Sequence, residues 1–259
     1  AGVITAWVGL NLAGTAWAED MRPVKTGTDP VVSTSDASPD MRSPLEYHPP
    51  KLFNFNTANL LPARTLQLSV GTHQTDPNGP TSGTGNQLYF GGFEWGLSDR
   101  VQLGLRYQYF EDPPGYPING TYPPTQVMTF SGSAKVKLYE TARFSVAAVG
   151  SVEQFWFKSA LFNSRNDRSS EQIVPSLHIP FTLAATPNLQ LHLTPSVSVF
   201  ADSINGIDFY GTVASLGAGF SWKPTERWLA FGSVLVPFGP GGNTISNTQA
   251  IVRTPIWTV

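Results

Sequence analysis

Two alternating runs on either side of Ser98-Asp99-Arg100 limit what this chain can fold into more than any other feature. After the turn, Val101, Leu103, Leu105, Tyr107 and Tyr109 are apolar, while Gln102, Gly104, Arg106 and Gln108 are polar or glycine. Before it, Tyr89, Phe93, Trp95 and Leu97 hold the odd positions. A period of two is that of a β-strand with unlike faces. Folding the chain about the turn sets Leu97 opposite Val101, Trp95 opposite Leu103 and Phe93 opposite Leu105. A slip of one residue would turn one strand's apolar set to the wrong face, so the agreement fixes the register. The second face carries Glu94, Gln102, Arg106 and Gln108. Gly92 falls opposite Arg106 and Gly104 opposite Glu94, which makes the two charged side chains diagonal neighbours at about 7–8 Å before their length is counted. An inward ion pair between them is expected.

The same pattern recurs through about ten strand-like stretches that begin near residue 64. One hairpin about Glu140-Thr141-Ala142 pairs Leu138 with Phe144, Val136 with Val146 and Ala134 with Ala148. A second, about Thr186-Pro187-Asn188, sets Leu183 against Leu191 and Phe181 against Leu193. A third, about residues 223–227, sets Trp222 against Trp228 and Leu216 against Val234. The turns within these hairpins are short, whereas the connections between them, at 75–85, 111–126, 159–170, 201–208 and 239–248, are longer. Five prolines, Pro175, Pro180, Pro195, Pro237 and Pro255, run against the pattern, because each lacks a ladder donor.

The N-terminal part differs. Residues 1–18 read as the rear of a secretory signal peptide, with an apolar run from Val3 to Leu12 and Ala16-Trp17-Ala18 as a small-x-small cleavage site. No initiator Met or basic region precedes it, so the first residues of the protein are expected to be missing. Residues 19–51, rich in Pro, Ser, Thr and Asp, read as a flexible periplasmic leader; a plug folded into the interior is the sharper alternative. No stretch has the ~18 continuous apolar residues of a transmembrane helix. Charged residues make up 13% of the chain, against about 25% in soluble domains. A net charge of −2 gives no basic face for nucleic acid, and the absence of Cys excludes thiolate metal sites and a disulfide scaffold.

Strands of roughly ten residues suit a tilted crossing of a bilayer, and alternating short and long connections are the layout of an outer-membrane barrel. Aromatic residues cluster at both strand ends, with Trp95, Tyr139, Trp222 and Trp228 beside the short turns and Tyr107, Tyr109, Phe155, Trp156, Phe200 and Tyr210 towards the long loops, as interfacial girdles would. The expected fold is therefore all-β, an antiparallel transmembrane β-barrel over residues 52–259 with about ten strands visible. The run Asn56-Thr57-Ala58-Asn59-Leu60-Leu61-Pro62, the strand with Gln67, Leu68 and Gly71, and the turn Gly96-Leu97-Ser98-Asp99-Arg100 followed by Gln102-Leu103-Gly104 resemble porin-like outer-membrane β-barrels of the cyanobacterial type. That resemblance implies residence in the cell outer membrane, contact with its lipid and with the barrel-assembly machinery, and a path for small hydrophilic solutes. Such barrels usually end in an aromatic residue, whereas this sequence stops at Val259 in mid-strand, so further C-terminal strands are expected.

The parity places Glu94, Arg106, Lys135, Lys137, Arg143, Glu153, His178 and His192 on the inward face as pore-lining residues, with a small positive excess that predicts a narrow, weakly anion-preferring channel. His178 falls opposite Ser196 and His192 opposite Thr182, too far apart to share a metal, and no acid completes a Ser-His-Asp arrangement. Gly83-Thr84-Gly85 and Gly239-Pro240-Gly241-Gly242-Asn243 open no helix and lack the Lys-Ser/Thr of a phosphate loop. No catalytic residue, metal or cofactor is expected. Gly211, Gly217 and Gly219 remove bulk from one wall and favour either an opening or a loop folded against it. The turns at 98–100 and 186–188 are expected to face the periplasm and the connections at 111–126 and 159–170 the outside. A barrel enzyme acting on lipids and a secreted β-sandwich used for adhesion are the competing readings; oligomeric state is not legible.

Overall fold

The computed structural model describes residues 8–14, 48–52, 55–75, 86–112, 125–158, 170–204, 207–225, 228–245, 251–253 and 255–258. All regular structure among them is strand: β1 (Val8–Gly14), β2 (Leu66–Thr75), β3 (Asn86–Ser98), β4 (Val101–Asp112), β5 (Thr125–Glu140), β6 (Phe144–Lys158), β7 (Ser170–His178), β8 (Phe181–Thr186), β9 (Leu189–Val199), β10 (Ser203–Ile204), β11 (Ile207–Asp208), β12 (Thr212–Thr225), β13 (Trp228–Phe238), β14 (Thr244–Ile245), β15 (Ile251–Val252) and β16 (Ile256–Thr258). Twelve of them form one antiparallel sheet in the order β1-β2-β3-β4-β5-β6-β7-β9-β12-β13-β16, with β8 following β7 between β6 and β9. β10 with β11 and β14 with β15 make two small separate ladders. The ten stretches expected after residue 64 are all present; the sixth divides into β7 and β8, and β1 is added. β1 comes from the stretch that reads as the rear of a signal peptide, and it pairs from Val8↔Thr72 to Gly14↔Leu66. Residues 19–47 of the expected leader lie outside the described residues, as do most of the long connections.

The sheet is apolar on the face that is left uncovered. Leu66, Leu68 and Val70 on β2, Phe93 and Trp95 on β3, Leu103, Leu105 and Tyr107 on β4, and Leu191 and Leu193 on β9 are all exposed, and Ile173 reaches 71%. The opposite face is covered and polar: Gln102, Lys135, Thr182, His192, Thr194, Ser215, Ser221 and Ser233 are buried, with Thr194 and Ser221 at 0%. This reverses the usual arrangement of a domain core.

The expected parity holds along the strand bodies and breaks at the bulges beside the turns, and the register holds in part. Trp95↔Leu103, Phe93↔Leu105, Gly92↔Arg106 and Glu94↔Gly104 pair as expected, but a bulge between Gly96 and Ser98 gives Val101 to Ser98 instead of Leu97. Leu183↔Leu191 and Phe181↔Leu193 also pair as expected. In the other two hairpins the register differs by two residues. Val136 meets Ala148, with a shift between Lys137 and Tyr139, and Trp222 meets Ala230 while Leu216 meets Val236. Face parity constrains a register only to within an even number of residues, and bulges beside the turns select among the even choices.

Among the described residues, the prolines fall where a ladder neighbour is missing. Pro180 lies in the break between β7 and β8. Pro195 sits opposite that break, beyond the β7 partners that end at His178↔Ser196 and before the β8 partners that begin at Phe181↔Leu193. Ile179 N–H bridges the gap to the Pro195 carbonyl at 3.0 Å, and Ala147 N–H reaches the Pro180 carbonyl at 3.0 Å. Pro175 lies outside the three-residue β7–β9 ladder, Pro237 outside the three-residue β13–β16 ladder, and Pro255 precedes β16. The sheet thus accommodates them without losing a bond that a non-proline residue would make on both sides.

The two-residue register shift can be tested in a chain that has no native Cys. Val136→Cys with Ala148→Cys is expected to form a disulfide under mild oxidation, whereas Val136→Cys with Val146→Cys is not, because a diagonal pair exceeds the Cα separation that a disulfide tolerates. Non-reducing electrophoresis after proteolysis between the two sites reads the result.

Candidate functional site

Residues 48–52 and 55–62, the segment, lie on the polar face of the sheet and touch strands that are far apart in sheet order. On β5, the Lys135 ammonium donates to the carbonyls of Pro50 at 2.6 Å and Asn59 at 3.1 Å. On β4, the Gln102 side chain accepts from Leu61 N–H at 2.8 Å. On β8, Thr182 Oγ1 accepts from Ala58 N–H at 3.0 Å. On β9, Thr194 Oγ1 donates to the Asn56 carbonyl at 2.8 Å and Gln190 accepts from Asn59 Nδ2 at 2.8 Å. One residue, Asn59, therefore joins β5 to β9. Those strands stand three places apart in the sheet, roughly 14 Å if it were flat. Within the segment, Leu52 N–H bonds the Phe55 carbonyl and Thr57 N–H the Pro50 carbonyl, a tight reversal.

Apolar side chains of the segment fill the space that glycines leave on β12. A Cβ on Gly217 would stand 2.5 Å from the Phe55 ring, and one on Gly219 would stand 2.8 Å from Leu52 Cδ1. Of the two outcomes the sequence offered for these glycines, the structure has the loop folded against the wall. The segment leaves towards β2 through Arg64, whose φ is 63°, and is pinned there by Arg64 N–H to the Gly96 carbonyl at 2.7 Å. Gly96 must be glycine, since a Cβ would lie 2.1 Å from the Pro62 carbonyl oxygen. Leu52, Phe55, Ala58 and Leu61 are all at or below 2% exposure. They recur every third residue, a period that neither a strand nor a helix pattern detects.

A buried chain of side chains locks the far end. Thr182 Oγ1 is 2.9 Å from His192 Nδ1, His192 Nε2 is 2.9 Å from Ser221 Oγ, and Ser221 Oγ is 2.9 Å from His48 Nδ1. The direction that uses every hydroxyl proton runs from Ala58 N–H to Thr182, from Thr182 to His192 Nδ1, from His192 Nε2–H to Ser221, and from Ser221 to His48. It requires both imidazoles to be neutral. His48 meets that requirement: burial, and secondarily the charge of Lys223, lower its pKa to about 4. Ser221 stands between two imidazoles, yet its fully buried hydroxyl is engaged in holding the segment.

The expected inward residues divide into several roles. Lys135 and His192 bind the segment as described. Glu94 accepts from Gln102 Nε2 at 2.5 Å. Arg106 lies with its guanidinium carbon 4.9 Å from the centre of the Phe90 ring, and that ring itself fills the space left by Gly71, where a Cβ would meet it at 2.5 Å. The expected Glu94–Arg106 ion pair is therefore not made: Gln102 is the nearer partner for the carboxylate, and the ring takes the cation. Lys137 pairs with Glu140 at 2.5 Å near the turn. Arg143 is exposed in the turn between β5 and β6, where its carbonyl accepts from Ala184 N–H. Glu153 falls opposite Ser131 and Val174. His178 pairs with Ser196 in register as expected, while its buried Nδ1 has no partner. The residues that receive the segment, namely Gln102, Thr182, Gln190, Thr194 and Ser221, were legible only as generic polar lining.

A buried apolar cluster lies on the side of the long connections. Phe155 and Val174, both on the inner face, form a buried cluster with Ile204 and Phe209 from the β10–β11 hairpin and its flank, and Phe200 and Tyr210 pack against it. Phe155 meets Phe200 and Phe209 edge to face, at 6.1 and 6.2 Å between centroids, a favoured aromatic geometry.

The glycine gap gives a direct test of the seating. Ala58→Cys, at a position that is 0% exposed, is expected to resist a water-soluble maleimide in folded protein. Adding Gly217→Val should expose it, with labelling faster by at least about ten-fold, because the new side chain cannot coexist with Phe55 in place. Unchanged protection would mean that the segment is held without the gap. No protein-family model, curated protein or solved structure matches the chain, so what it does is argued from this geometry.

Proposed function

We propose that this chain is an outer-membrane β-barrel protein that provides a passive path for small hydrophilic solutes, with residues 48–62 seated in its lumen as an occluding segment. The observation that carries the reading is the inverted sheet. Strand after strand presents Leu, Val, Phe and Trp on an uncovered face and buries Gln, Lys, Thr, His and Ser on the other. In water such a continuous apolar surface is a liability, whereas in hydrocarbon it is the required exterior, and backbone polar groups are satisfied only by strands paired side to side. A secreted sandwich would cover that face with a second sheet; here the twelve strands belong to one sheet. The porin-like resemblance of the sequence points the same way and implies lipid and the assembly machinery as partners.

Planar-bilayer recording of refolded protein tests the pore. The full chain is expected to give small or rare conductance steps, and deletion of residues 48–61 to give larger and more frequent ones. Heat-modifiable electrophoretic mobility would establish that each form has folded. A folded deletion form without conductance would overturn the pore reading and leave a structural barrel. Val136→Lys, which places a charge on the uncovered face, is expected to impair insertion by about 2–4 kcal/mol at mid-depth; undiminished insertion would count against the membrane assignment itself.

A further inference from the structure

The short-turn end of the sheet carries positive charge in one sector. Arg64, Arg100 and Arg143 are all exposed, and each lies one or two residues before a strand that leaves this rim, namely β2, β4 and β6. Backbone bonds fix them there. Arg64 N–H donates to the Gly96 carbonyl near the end of β3, the Arg100 carbonyl accepts from Lys137 N–H on β5, and the Arg143 carbonyl accepts from Ala184 N–H on β8, at 2.7, 2.9 and 2.8 Å. In sheet order β2, β4 and β6 stand two places apart, so one arginine follows another about every 10 Å along the rim. The next equivalent position, before β9, is Asn188, in the uncharged turn Thr186-Pro187-Asn188.

Acids do not offset this sector. Glu140 is taken by Lys137, which leaves Asp99 as the other carboxylate among the described residues of these turns. None of the three guanidiniums makes an ion pair among the described residues. The surplus is local, since the chain as a whole has a net charge of −2. On the uncovered face, within five residues of Arg100 and Arg143, stand Trp95 at 42% exposure and Tyr139 at 55%. The Tyr139, Phe144 and Phe181 rings continue in one row, at 6.4 and 6.2 Å between centroids, and Leu66, Leu97 and Leu138 beside them are exposed as well.

A guanidinium meets a phosphate through two parallel N–H groups, and Trp and Tyr at the same level suit the boundary between headgroups and acyl chains. A soluble polyanion would satisfy the arginines and leave the apolar side chains bare, whereas a phospholipid satisfies both. We propose that the rim over β2 to β6 is a docking surface for anionic phospholipid, with phosphates on Arg64, Arg100 and Arg143 and acyl chains along the uncovered face beside Trp95 and Tyr139. The proposal rests on the membrane reading of that face and adds to it a preference for headgroup charge in the leaflet that the short turns meet.

Native mass spectrometry of the full chain, folded in neutral detergent and mixed with equal amounts of phosphatidylglycerol and phosphatidylcholine, reads the preference. Phosphatidylglycerol is expected to be retained preferentially, and less so as salt rises. Arg64→Gln, Arg100→Gln and Arg143→Gln should each reduce the preference by about five-fold, the effect of one arginine near an anionic surface. Arg253→Gln, at an exposed arginine that donates to the Pro240 and Gly241 carbonyls, should leave it unchanged. Equal retention of the two lipids, or a preference that survives the triple substitution, would overturn the proposal. Displacement of the bound lipid by inorganic phosphate would overturn it too, by assigning the arginines to a free anion. Flotation with pure phosphatidylcholine vesicles separates this from the reading it rests on: protein that floats without preferring phosphatidylglycerol loses the docking surface alone, and protein that retains phosphatidylglycerol through the arginines but does not float keeps the lipid contact and loses the membrane-spanning barrel.

Discussion

The structure depends on one requirement, that each polar group on the inner face of the sheet finds a partner away from bulk water. The uncovered face asks for nothing specific: any large apolar side chain satisfies it. The covered face holds Lys135, His192, Thr182, Thr194 and Ser221 at a few percent exposure or less, and an unpaired buried polar group costs about 1–3 kcal/mol, more when charged. The segment meets the requirement largely with backbone, joined by the side chains of His48 and Asn59. The carbonyls of Pro50, Asn56 and Asn59 and the N–H groups of Ala58 and Leu61 take up the wall's side chains one by one. A segment whose backbone is not engaged in its own helix or strand is well suited to this, because its donors and acceptors are free to point outward.

The same requirement accounts for the order of features along the inner wall. Near the short turns, hydroxyls, imidazoles and the Lys135 ammonium meet the backbone of the segment. Near the long connections, Phe155 and Val174 are apolar, and the β10–β11 region closes over them. Arg106 and Glu153 lie in between, in one row with Ser131.

How much of this was legible in the sequence follows from what a period of two can encode. Trp95 and Leu103, Phe181 and Leu193, and the facing of Glu94, Arg106, Lys135 and His192 were all readable, because parity is repeated at every step and errors would show at once. The pairings Val136↔Ala148 and Trp222↔Ala230 were not, since parity is blind to a shift of two and the bulges that set it leave no alternation to read. The Glu94–Arg106 pair failed for a different reason. Register placed the two residues correctly, but side-chain choice among Gln102, Phe90 and each other is decided by local geometry that spacing does not carry. The segment was hidden by its own period: Leu52, Phe55, Ala58 and Leu61 looked unpatterned beside a Pro-rich stretch. The glycines opposite them on β12 were the one visible sign.

Magnitudes indicate which of the segment's contacts matters most. Ordering a residue costs roughly 1–2 kcal/mol, whereas a neutral hydrogen bond returns a net ~0.5–1.5 kcal/mol, so a polar bond or less per residue does not seat the segment unaided. Lys135, with its charge-assisted bonds to two carbonyls, contributes more, but at a single point. What remains is apolar burial, at roughly 1.5–3 kcal/mol for each large side chain, and Phe55 and Leu52 obtain it only because Gly217 and Gly219 present no Cβ. The polar contacts therefore determine where the segment lies, and the glycine gap determines whether it stays. A wall with larger residues at those two positions would keep the donors and acceptors in register and still lose the segment.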